Sequence, residues 1–206
     1  ELPANKAILT GTPIRQELLS GKPQKALAFT GLSSEKPVIM VIGGSLGAVA
    51  VNNAVRAILP ELLKDFQVIH LCGKGKLDSS LTDTKGYVQY EYIKDELADL
   101  FALADIVISR AGANAICEIS ALKKPNLLIP LSARASRGDQ ILNARSFEKL
   151  GYSMVLEEEE ITNQKLLESI QTLYQNRDSY IQAMEKSKQT DSIEQIVQLF
   201  EQAVNK

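Results

Sequence analysis

Apolar residues occur along this chain in two alternating rhythms. Short, mainly apolar runs, of which Val38–Ile42 is unbroken and rich in β-branched residues, are followed by longer stretches in which apolar positions recur every three or four residues. The runs are Val38–Ile42, Gln67–Leu71, Tyr87–Tyr90 and residues 105–109, 126–130 and 153–156. Runs of this length predict strands, and the unbroken ones predict strands covered on both faces. The longer rhythm predicts helices over residues 47–63, 95–103, 112–122 and 138–150. After Thr162 the chain reads as helical, with breaks near Asn176-Arg177 and Thr190-Asp191. Residues 1–36 carry scattered Gly, Pro and Ser and read as an irregular lead-in, with a turn at Thr10-Gly11-Thr12-Pro13.

Strands that alternate with helices imply a parallel sheet clothed by helices on both faces. The expectation is therefore α/β: a doubly wound, mainly parallel, six-stranded Rossmann-like sheet with strand order 3-2-1-4-5-6. In that order strands 1 and 4 are neighbours and their outgoing chains run to opposite faces. A crevice opens between the two turns, at the carboxyl ends of the strands, where open α/β sheets bind ligands.

The residues at those turns suit an anion. Gly43-Gly44-Ser45-Leu46-Gly47-Ala48 follows the first strand, and Arg110-Ala111-Gly112-Ala113-Asn114 follows the fourth. Small residues let backbone N–H groups approach closely, the helix dipole adds partial positive charge, and Ser45 can donate its hydroxyl. Two such turns facing each other suit a diphosphate. Arg110 can pair with a phosphate or with a neighbouring carboxylate. Glu118 lies in the otherwise apolar stretch Ala115-Ile116-Cys117-Ile119 and needs a partner. The setting favours the adjacent hydroxyls of a ribose over solvent or a lysine. A long polar loop, residues 130–140, follows the fifth strand and borders the same crevice. Its Asp139 and Gln140 can read sugar hydroxyls, or Asp139 can cap the next helix.

Other readings are disfavoured. Gly-x-Gly-x-x-Gly is absent, as is an acidic residue after the second strand, which argues against NAD. No Gly-Lys-Ser/Thr follows the glycine turn, so it is not a P-loop. His70 is the only histidine and reads as a satisfied core residue. No His/Cys/Asp cluster has metal-ligand spacing. Residues 157–160, all glutamate, read as a solvated strand-to-helix link. The net charge of -2 makes no case for nucleic acid. No apolar run reaches the roughly 18 residues of a membrane span. Cys72 and Cys117 read as buried thiols of a reducing cytoplasm. The first residue is not methionine, and the chain reads as a fragment.

Taken together, Gly-Gly-Ser-x-Gly-Ala at 43–48, Ser-Arg-Ala-Gly-Ala-x-x-x-x-Glu at 109–118 and Asp-Gln-x-x-Asn-Ala at 139–144 resemble the MurG family. Gly11-Thr12-Pro13-Ile14-Arg15 is similar to that family's interdomain Gly-Asn-Pro-x-Arg. These are GT-B cell-wall transferases that add N-acetylglucosamine to lipid I, giving lipid II. The resemblance runs from about Thr10 to the end.

It implies a single unit over 1–206, the donor-binding half of a GT-B fold. Residues 1–36 would be the interdomain lead-in, and 191–206 a terminal helix packing on an acceptor-binding half. The donor would be UDP-N-acetylglucosamine, with no separate cofactor and no metal. Gly44, Ser45, Ala113 and Asn114 would face the diphosphate. Glu118 would hold the ribose diol, and Ile93 would lie against the uracil. Arg15 would close the pocket, Arg110 would support the site, and Asp139 and Gln140 would touch the sugar. Ser45 and Arg110 would help electrostatically, while the catalytic base would lie in the other half. The resemblance further implies a bacterial cytoplasmic protein, peripheral on the inner membrane face when full length, with lipid I as partner. The alternatives within the class are a glycolipid glucosyltransferase or a UDP-N-acetylglucosamine 2-epimerase. Outside it stands a non-catalytic donor-binding subunit.

Overall fold

The computed structural model describes residue 8 and residues 10–43, 49–133, 138–187 and 192–204. Most of the first glycine turn, including Gly44 and Ser45, lies outside them, as do residues 134–137 of the polar loop.

Six strands form one parallel sheet: β1 (Val38–Ile42), β2 (Gln67–Leu71), β3 (Tyr87–Tyr90), β4 (Ile106–Ser109), β5 (Asn126–Leu128) and β6 (Ser153–Val155). Their spatial order is β3-β2-β1-β4-β5-β6. This is the order expected from the alternation of elements, since right-handed crossovers place successive helices on one face before the direction reverses. Four helices fill the predicted crossovers: α2 (Val49–Asp65), α3 (Leu97–Leu103), α4 (Ala113–Ala121) and α5 (Asp139–Lys149). Three more follow: α6 (Asn163–Gln175), α7 (Arg177–Glu185) and α8 (Ser192–Val204). None of the described helices is long and apolar enough to cross a membrane.

The period-2 geometry of a strand splits β1 between two cores. Ile39 and Val41 pack with Val55, Leu59 and Leu62 of α2 and with Leu166 and Ile170 of α6. Val38 and Met40 pack with Leu97, Leu100 and Phe101 of α3 on the opposite face. A smaller cluster joins Ile116 of α4, Leu128 of β5 and Ala144 of α5.

The lead-in departs from expectation. It is not irregular throughout: Gln16–Ser20 forms a 3-10 turn and α1 spans Pro23–Thr30. Pro23 at the first helical position and Gly31 in the left-handed conformation just past the end are the local signals. Alternation alone misses a helix this short. Gly21 seats the piece against α3, because a Cβ there would stand 2.0 Å from the Ala98 carbonyl oxygen.

His70 is a core residue, as expected. Its Nδ1 lies 2.9 Å from the Tyr87 hydroxyl and its Nε2 lies 3.0 Å from Asn52 Oδ1. Asn52 Nδ2 in turn donates to the Cys72 carbonyl. The chain of bonds is satisfied with Nε2 carrying the proton. Burial, with the Arg56 charge adding to it, lowers the His70 pKa to about 3 from an ordinary 6.5. The folded state thus refuses a proton that the unfolded chain accepts below pH 6.5. This part of the stability is fully present above pH 6.5 and is lost as pH falls towards 3. The limiting slope is about 1.4 kcal/mol per pH unit. Urea unfolding between pH 7 and pH 5 should show this loss, and a His70→Asn variant should show a shallower one. Equal slopes for the two proteins would refute the assignment.

Candidate functional site

The carboxyl ends of β1 and β4 lie side by side, with Ile42 paired to Ser109. Beyond Ile42 the chain passes to α2 on one face, and beyond Ser109 it passes through Arg110-Ala111-Gly112 to α4 on the other. The expected reversal point is therefore present.

Gly112 is the N-cap of α4, with extended backbone (φ −70°, ψ 136°) and no capping side chain. First-turn N–H groups have no intrahelical acceptor, so this end carries partial positive charge into the crevice. Ala113 and Asn114, both exposed, form its first turn. Glu118 follows five residues later, about 7.5 Å along the axis at the helical rise.

Of the partners anticipated for Glu118, neither a lysine nor open solvent is what the structure contains. Arg15 Nε donates to Oε1 at 2.7 Å and a terminal nitrogen donates to Oε2 at 2.9 Å. The Glu118 side chain is only 14% exposed beneath this fork, whereas that of Arg15 is 49% exposed. The bond to the carboxylate raises the Arg15 pKa above its ordinary value. A second contact of the same segment lies beside it, Cys117 Sγ to Thr12 Oγ1 at 3.4 Å. Cys117 is thus half-buried, unlike Cys72, and the expectation of two buried thiols holds for only one.

Arg110, for which a phosphate or a carboxylate was open, has the carboxylate. Its guanidinium is buried and donates to the Ile129 and Pro130 carbonyls, both at 3.1 Å, and to Glu158. It stitches the end of β4 to the ends of β5 and β6. Sequence reasoning missed this role for Glu158, and Glu157 is engaged as well, accepting from Arg145 at 2.7 Å. Residues 157 and 158 are not simply solvated, because the link they occupy leaves β6 at the same sheet edge as Arg110. The signal available was topological: a buried arginine after β4 requires an acid, and the order β4-β5-β6 brings this run nearest.

The two ends of the polar loop are bonded to each other. Gln140 Oε1 accepts from the Leu131 amide at 3.0 Å, and Asn143 Nδ2 donates to the Ala111 carbonyl at 3.1 Å, tying α5 to the turn before α4. Asp139 is exposed at the start of α5 and is not its cap. Gly138 occupies that position with φ 82°, a conformation a side chain resists. Ile93 is buried, in the cluster that contains Leu18 and Leu97. The structure thus brings together Arg15, Glu118 and the start of α4, and ties Gln140 into the neighbouring loop. It leaves Ile93 in the core beyond β3. Among the described residues, no three His, Cys, Asp or Glu side chains group as a metal site.

A parallel sheet of this order, with helices on both faces, belongs to the doubly wound, Rossmann-like class of α/β domains, in which ligands bind at the reversal point. Comparison with known proteins narrows this. Residues 38–199 match the model of the glycosyltransferase family 28 C-terminal domain, and the chain belongs to that family. It is 64% identical over 198 residues to the UDP-N-acetylglucosamine--N-acetylmuramyl-(pentapeptide) pyrophosphoryl-undecaprenol N-acetylglucosamine transferase of Lachnospira eligens, covering 96% of this chain and 56% of that protein. The enzyme of the same name from Lachnoclostridium phytofermentans is 61% identical over 98% of this chain and 57% of its own length. The chain therefore spans about half the length of the curated relatives it matches. Its fold also matches the crystal structure of Acinetobacter baumannii MurG, with a TM-score of 0.72 at 22% identity, over 90% of this chain and 55% of that one.

Proposed function

We propose that this chain is the donor-binding half of an N-acetylglucosaminyltransferase of peptidoglycan synthesis. It would hold UDP-N-acetylglucosamine while the sugar passes to lipid I. The observation that carries the reading is the Glu118 carboxylate, five residues past the uncapped start of α4 at the edge shared by β1 and β4. A carboxylate there accepts from a ribose diol while helix amides hold the diphosphate next to it. The particular sugar and acceptor are supported by the names of the relatives that match nearly all of this chain.

In the proposed chemistry the acceptor hydroxyl attacks the anomeric carbon and inverts it, and the carbon–oxygen bond to the diphosphate breaks. Negative charge grows on the departing UDP. The α4 amides, with Gly44 and Ser45 of the glycine turn, stabilise that charge by pre-placed dipoles, without a metal. Arg110 acts as a brace for the turns. Ile93 presents its backbone to the uracil, and Asp139 and Gln140 meet the sugar hydroxyls. The acceptor site, the base that takes its proton and the peripheral contact with the cytoplasmic membrane face belong to the rest of the protein.

Calorimetry with UDP-N-acetylglucosamine, UDP-glucose, ATP and NAD tests the reading. UDP-N-acetylglucosamine should bind most tightly, with no heat from ATP or NAD, and the chain alone should glycosylate no acceptor. Tighter binding of UDP-glucose would move the assignment to a glycolipid glucosyltransferase. Absence of uridine-nucleotide binding would end it.

A further inference from the structure

The donor reading leaves the fork between Arg15 and Glu118 unexplained. Both oxygens of the Glu118 carboxylate already accept, one from Arg15 Nε at 2.7 Å and one from a terminal nitrogen at 2.9 Å. A vicinal diol approaches a carboxylate in the same way, with two parallel donors on two oxygens. The guanidinium and the ribose therefore compete for one edge. We infer that Arg15 is a displaceable internal occupant of the ribose site, holding the Glu118 carboxylate in the empty chain and exchanging with the ribose hydroxyls as the nucleotide enters. The inference rests on Glu118 being the ribose acceptor.

Three observations favour exchange over a permanent pair. The Arg15 side chain is half-exposed, so its guanidinium regains water when it leaves. With its cation half in solvent the pair is partly screened, which keeps displacement within reach of a nucleoside. The backbone need not unfold either, because Leu18 anchors the following 3-10 turn in the core and Arg15 lies just before it. The Thr12–Cys117 contact holds the lead-in against α4 one residue before Glu118. Until exchange occurs, Arg15 also keeps a nearly buried carboxylate from standing unpaired.

Uridine is the suitable probe, because it carries the diol and no phosphate whose charge would mask the effect. Its affinity can be followed by amide chemical-shift titration of the chain. Arg15→Ala should tighten uridine by up to about five-fold, equivalent to ~1 kcal/mol. Arg15→Lys, a point charge without the fork, should fall between the two. Raising salt should tighten uridine binding to the wild type by screening the pair, and should leave Arg15→Ala unchanged. Glu118→Ala should abolish uridine binding. If Glu118→Ala abolishes binding while Arg15→Ala leaves it equal or weaker, Arg15 orients the carboxylate rather than competing for it, and the exchange is wrong. If Glu118→Ala binds uridine as the wild type does, the ribose reading itself falls, and the exchange with it.

Discussion

Replacing Arg110 by alanine is expected to destabilise the chain by about 3 kcal/mol and to lower its melting temperature by roughly 6–12 °C. Arg110 is buried, and three acceptors depend on its guanidinium: the Ile129 and Pro130 carbonyls and the Glu158 carboxylate. Removing it leaves a carboxylate whose side chain is only 20% exposed facing no cation, together with two carbonyls that lose their donor. The figure sits at the low end for broken buried pairs because Glu158 keeps some solvent. Removing both charges should be milder. An Arg110→Met, Glu158→Gln double variant is expected to lose about 1 kcal/mol, since a buried pair adds little beyond its own desolvation. Urea midpoints of the three proteins measure the difference. A single variant within ~1 kcal/mol of wild type would mean that Arg110 does not brace the strand ends.

Glu118→Ala is expected to weaken UDP binding about 10- to 100-fold. Hydrogen bonds to a charged group contribute about 1.5–3 kcal/mol, and each 1.4 kcal/mol is a factor of ten. The fold should be nearly untouched, because the variant removes the less exposed charge and leaves behind only Arg15, which is half-exposed and regains water, a loss of at most about 1 kcal/mol. Calorimetry with UDP and 2′-deoxy-UDP separates a ribose contact from a general loss. Wild type should prefer UDP, and the variant should bind both nucleotides equally weakly. A variant that still discriminates between them would place the ribose elsewhere.

The two effects come from different kinds of residue, and they were unequally visible in the sequence. Glu118 stands out as a charged residue in an apolar helical stretch, six residues after a glycine that begins the helix, and that spacing survives in α4. Its partner Arg15 lies 103 residues away, so no local pattern can pair them. Arg110 was visible as a charge at a strand end, but its partners were not. Glu158 lies 48 residues on, in a run of four glutamates that local charge pattern cannot tell apart. Asp139 shows the opposite failure, since its identity suits a helix cap but the left-handed backbone of Gly138 takes that place. The short helix α1 was missed for want of length, not of signals.

By itself the sequence determined the six strands, their parallel arrangement and the reversal between β1 and β4. Short apolar runs, helical spacing and crossover handedness are local or topological rules that leave few alternatives. It also carried the motifs of the family to which the chain belongs. The tertiary structure alone decided which charges meet: Arg15 with Glu118, Arg110 with Glu158, Arg145 with Glu157. Strand ends distant in the chain converge on one sheet edge, and a buried or half-buried charge there takes whichever opposite charge the packing brings within reach.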